Sequence, residues 1–199
     1  MRFGAFLAAL AALAAPVCLA GGVPADTSPE LEAAQAAADA AYQARRYQQA
    51  YGIYLGDLAP AGDKYAQYII GIMHAHGLGV QQDAALGAAW LALAAERGDE
   101  RLAAARDEAL AALPDDERRR ADTLLADLQG RYGDCALVSR LLAEDRGRVT
   151  ASTGSRVKSS VNAPVTIIHM QDDDDRAIDP QSLRERIRKR ERFLRERCS

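Results

Sequence analysis

The second half of the stretch Tyr65–Asp99 has a fainter copy 36 residues upstream, and no other feature restricts the fold as much. At that offset Tyr54 aligns with Trp90, Leu58-Ala59 with Ala94-Ala95, and Gly62-Asp63 with Gly98-Asp99. A fixed period in this range marks stacked helical hairpins, in which each unit buries its apolar face only against its neighbours. Surfaces built this way bind other proteins more often than they perform chemistry.

Apolar spacing predicts helices almost throughout the chain up to Asp145. Thr27 or Ser28 caps a helix to about Ala44, with Pro29 at its first position and Glu30 and Glu32 in its first turn. Arg45-Arg46 make a turn, and a second helix carries Tyr47, Ala50, Tyr54 and Leu58 as one stripe until Pro60-Ala61-Gly62 ends it. Asp63–Ala75 follows with Ala66, Ile69, Ile70 and Met73 on one face, and Gly77-Leu78-Gly79 supplies the next corner. Asp83 then caps a helix that turns Leu86, Ala89, Trp90, Leu93 and Ala94 to the core and stops at Gly98. Leu102–Leu113 is one further helix, and Pro114-Asp115-Asp116-Glu117 opens another with the stripe Ala121, Leu124, Leu125, Leu128 and Tyr132. A last helix around Leu137, Val138, Leu141 and Leu142 closes the domain. Composition agrees, since Ala and Leu dominate the apolar residues and Ala loses no side-chain entropy in a helix.

Within this pattern Ala66, Ile70, Gly71, Gly77, Gly79, Val80, Asp83, Trp90, Ala94, Ala95 and Gly98 fall into the register of a Sel1-like repeat, a relative of the tetratricopeptide repeat, which the central hairpin resembles. His74 stands where the family pattern has an aromatic Tyr, and Leu91 where a second aromatic is common. The resemblance covers one good copy and a degenerate half before it. It implies right-handed stacking of antiparallel helix pairs, no cofactor, and a role in protein–protein association. The expected fold is therefore all-α: a short right-handed α-solenoid of antiparallel helix hairpins, with capping helices and a flexible tail ending in a basic helix.

Both ends carry other signals. Met1-Arg2, the apolar run Phe3–Val17 and the small residues Ala20, Gly21, Gly22 and Ala25 read as a cleaved export signal, which places the protein in the periplasm or outside the cell. Cys18 follows Pro16-Val17, a poor match to a lipid-attachment pattern, so a lipoprotein is not expected. The mature chain keeps Cys135 and Cys198, which either pair with each other or leave Cys135 buried and Cys198 free or bonded to another chain. The organisation reads as a signal peptide at 1–25, a repeat domain at 26–146, a flexible linker at 147–179 and a basic amphipathic helix at 180–199. Eight Lys or Arg against three Glu give that last segment a formal +5, leaving −8 on the rest of a chain whose net charge is −3. Leu183, Ile187, Phe193 and Leu194 add a narrow apolar stripe to it.

No catalytic, cofactor or metal site is expected. His74 and His76 lie two apart and point to different sides of a helix, and His169 is far from both. Asp172–Asp175 lacks the glycine and final glutamate of a calcium loop, and Ser155 has no nucleophile elbow around it. Tyr51 and Tyr65 fall off the main stripes and are candidate contacts for a protein partner. The expected role is an exported adaptor or scaffold acting through its repeat surface, with no nucleic-acid partner. The alternatives are a tether to a membrane surface or other anionic partner through the basic C-terminal helix, and a cell-envelope hydrolase-like enzyme.

Overall fold

The computed structural model describes residues 28–153 and 180–198. The expected signal peptide at 1–25, Ser155, His169, Asp172–Asp175 and most of the 147–179 segment lie outside them. Among the described residues the regular elements are all helical, so the fold is all-α.

Helix α1, Pro29–Gln43, starts at Ser28, whose hydroxyl accepts the Leu31 N–H at 3.3 Å. It ends at Arg45, which takes a left-handed φ of 57°. Helix α2, Tyr47–Ile53, continues into one π turn, Tyr54–Leu58, closed by the Ala59 N–H donating to Tyr54 O at 2.8 Å. The sequence spacing predicts unbroken α-helix there. The extra residue in the turn brings Tyr54, Leu58 and Ala59 to the same side, where all three are buried. A hydrogen bond fixes the bulge, the Tyr54 hydroxyl donating to Asp39 of α1 at 2.6 Å.

Helices α3, Lys64–His76, and α4, Ala84–Ala94, are capped by Asp63 and Asp83, which accept the N–H groups of Ala66 at 2.7 Å and Leu86 at 2.9 Å. The two helices approach closest at a pair of glycines. A Cβ on Gly87 would sit 2.9 Å from both Gly71 O and Ala75 N, and one on Gly71 would sit 2.9 Å from Leu91. That register, 71 against 87 and 91, and 75 against 87, runs the two helices in opposite directions.

Helix α4 is buried over most of its surface. Ala89, Trp90 and Leu93 join the main core with α1–α3, while Ala85 and Ala88 pack against Leu113 and Ala121. The spacing predicts a single buried face here. The segment from Ala84 to Ala95 has no charged side chain and, apart from the Trp90 indole N–H, no polar one, however, and a helix apolar all round goes to the centre.

Residues 36 apart share several local features. Tyr54 and Trp90 are both buried, as are Leu58 and Ala94, and Ala59 and Ala95. Gly62 and Gly98 take left-handed φ values of 80° and 81°, and Asp63 and Asp99 cap the helices that follow. Different routes lead to these matching ends: the π turn precedes Gly62, and a 3-10 turn, Ala95–Arg97, precedes Gly98.

Helices α5, Glu100–Ala111, and α6, Asp115–Tyr132, pack on α4, with the Tyr132 ring 5.1 Å from Trp90. Helix α7 spans Asp134–Thr153 and so passes the expected boundary at 146. Gly147 has open space where a side chain would be, and contact with the next helix offsets the roughly 1 kcal/mol that glycine costs a helix. Helix α8, Pro180–Arg197, lies along α7 in the opposite direction. A disulfide between Cys135 and Cys198 joins them at one end, and Arg186 and Arg190 grip the buried Asp145 further along. No helix among the described residues is long and apolar enough to cross a membrane.

Candidate interaction face and the charge clasp

Four charged side chains meet where α3 begins, α4 ends and α7 begins. The Lys64 ammonium donates to Glu96 and to Gln67 Oε1 (3.1 Å), and lies 3.3 Å from Asp134. Arg97 reaches the same Asp134 through Nε at 2.9 Å and Nη2 at 2.7 Å. The Asp134 N–H donates to Glu96 at 2.9 Å, and Gln67 Nε2 donates to Tyr132 O at 3.1 Å.

Burial works to raise both carboxyls, with opposite outcomes. Hydrogen bonds from Arg97, with the charges of Lys64 and Arg97, outweigh it at Asp134 and hold that group down to about 2. At Glu96 burial wins over the Lys64 charge, and the group lies above its ordinary value. The donors and acceptors are matched within the cluster, so it acts as a clasp on the helix ends. Sequence spacing gives no sign of it, because Lys64, Glu96 and Asp134 are more than 30 residues apart from one another.

The second constellation lies on α1 and α3. Tyr65 is 41% exposed, the exposed large apolar side chain among the described residues. Its ring packs edge-on to buried Tyr54 at 6.5 Å, and burial, Asp39, Tyr42, Asp63 and Tyr68 push its hydroxyl up to about 12. Asp39 accepts from Tyr54 and, at 3.0 Å, from Gln35 Nε2, yet no cation pairs with it among the described residues. The other end of that amide, Gln35 Oε1, is buried without a donor. Tyr42 lies edge-on to Tyr47 at 5.3 Å, and Tyr68 feels the charge of Glu108 on α5. Aromatic rings, an unpaired carboxylate and an unfilled acceptor thus share one side of the molecule.

Tyr51, paired with Tyr65 in the sequence reading, sits differently. It is half-buried, its hydroxyl shares a hydrogen bond of 3.1 Å with His74 Nε2, and the two rings meet edge-on at 5.4 Å. Burial lowers His74, leaving a neutral imidazole in the place where the repeat pattern has tyrosine. The other residues that carry the sequence resemblance take defined local roles. Ala66, Trp90, Ala94 and Ala95 are core, Gly71 lies at the close approach to α4, and Val80 packs against the main cluster. Gly77, Gly79 and Gly98 have positive φ, and Asp83 caps α4 while pairing with Arg120 of α6. No group of three or more His, Cys, Asp or Glu among the described residues is placed to hold a metal ion.

Comparison with known proteins leaves these positions to speak for themselves. No family model matches the chain, and no curated protein or solved structure matches it. The likeness to a Sel1-like repeat rests on the residues quoted above.

Proposed function

We propose that the chain is an exported, non-catalytic interaction module: a short Sel1-like α-solenoid whose α1–α3 side captures a segment of another protein. The matched roles of Gly62 with Gly98, and of Asp63 with Asp99, support stacking of repeated units. One observation carries the functional reading. Tyr65 stays exposed beside an Asp39 carboxylate that has no cation among the described residues. Exposed aromatics on a rigid helical scaffold are favoured anchors for a partner. A segment bringing a lysine or arginine would meet Asp39 electrostatically and the tyrosine rings through cation–π contact.

The test is site-specific photocrosslinking in the cells that make the protein, with the crosslinker replacing Tyr65 or, as control, exposed Gln129 of α6. The expected result is a discrete adduct from position 65 alone, weakened by Asp39→Asn. No adduct, or the same adducts from both positions, would contradict the proposal.

A further inference from the structure

Helix α8 presents two unlike sides. Its inner side is engaged with α7: Leu183 is buried, Ile187, Phe193 and Leu194 are half-buried, and Arg186 and Arg190 hold Asp145. Arg190 also donates to Leu141 O at 2.9 Å, Arg146 pairs with Glu191 at 2.7 Å, and the Cys135–Cys198 bond fixes the helix end. The apolar stripe that an amphipathic helix would insert into a bilayer is therefore covered by the protein's own helix.

The outer side carries Arg184, Arg188 and Arg192, all exposed and four residues apart, so about 6 Å separates neighbours along the axis. None of the three forms an ion pair among the described residues, whereas neighbouring Lys189 pairs with Glu185 at 3.0 Å. A row of guanidinium groups held on a covalently pinned helix is already organised to accept phosphate oxygens.

We propose that this outer face of α8 docks on an anionic lipid bilayer, with Arg184, Arg188 and Arg192 meeting the headgroup phosphates. The row lies exposed along one helix, which suits a flat charged surface. Single-stranded nucleic acid needs exposed aromatics for base stacking, and Phe193 is turned partly inward. Binding is electrostatic and superficial, with no insertion of the apolar stripe and no new helix on contact. It is independent of the α1–α3 face and survives if that assignment fails.

The experiment uses the oxidised full mature chain with vesicles of phosphatidylcholine and phosphatidylglycerol, about 70:30, against pure phosphatidylcholine and a DNA duplex. Co-sedimentation with the anionic vesicles is expected at low salt and is lost toward 1 M salt, where the screening length is about 3 Å. The combined change Arg184→Gln, Arg188→Gln and Arg192→Gln weakens it by at least about tenfold with the circular dichroism unchanged. Glu185→Gln, which removes an exposed carboxylate from the same helix, strengthens it. The proposal is overturned by absent binding at low salt, equal binding to neutral vesicles, or undiminished binding by the triple variant. Tighter binding to the duplex, or a gain of helix on binding, overturns it as well.

Discussion

At Asp134 one carboxylate receives two nitrogens of Arg97 and faces the Lys64 ammonium, while being only 13% exposed. Asp134→Asn leaves those cations short of a partner and should cost about 3 kcal/mol in urea unfolding. The pH dependence follows from the two directions of shift. Asp134 is lowered from 3.8 to about 2, so its contribution is complete above pH 4 and is lost as pH falls toward 2. Glu96 is raised above 4.5, so its contribution has the opposite sign: it is largest when the group is protonated and declines as pH rises through the folded value. The thermal midpoint should therefore peak in mildly acidic solution, and the decline below pH 4 should be shallower in Asp134→Asn. An unchanged acid limb would remove the clasp from the account. Tyr54→Phe tests the other buried bond at this scale. Losing the donor to Asp39 should cost about 1–3 kcal/mol, read by chemical denaturation.

Among the elements, the α3–α4 crossing makes the sharpest claim, because its two glycines face each other's backbone. Gly87→Ala would place a methyl 2.9 Å from Gly71 O and Ala75 N and should destabilise by about 1–3 kcal/mol, despite alanine's higher helix propensity. Gly52 of α2 has nothing within 4 Å of that position, so Gly52→Ala should instead stabilise by about 0.4–1 kcal/mol. Thermal melts of the two variants moving in the same direction would refute the crossing geometry. The helix order, the caps at Ser28 and Asp83, and the turn glycines were legible because each is a local signal, whereas the capping roles of Asp63 and Asp99 emerge only in the structure. The π turn at Tyr54–Leu58 was not, since it answers to Asp39 across the helix pair. The length of α7 was hidden for a similar reason: Gly147 reads as a stop until α8 lies beside it. Tyr51 and Tyr65 look alike in sequence, and only His74, brought close by the fold, separates them.

For the molecule as a whole, the Cys135–Cys198 bond closes a loop spanning 63 positions. By chain entropy Cys198→Ser should cost on the order of 4 kcal/mol, with α8 exchanging its amide hydrogens sooner than α3 and α4. The sequence left that pairing open between intramolecular, free and intermolecular forms, because spacing says nothing about distance. The charge clasp was wholly invisible, its members lying on three separate helix ends. The side that α1 and α3 offer was half visible, in Tyr65 but not in Asp39 or Gln35, whose neighbours only the fold assembles.

Hydrogen exchange of the full chain, alone and with the protein captured through position 65, tests the central claim most directly. The account predicts added protection in residues 35–42 and 65–72 and none in α6. Protection confined to α6 or α7, or no change in α1 and α3, would contradict it.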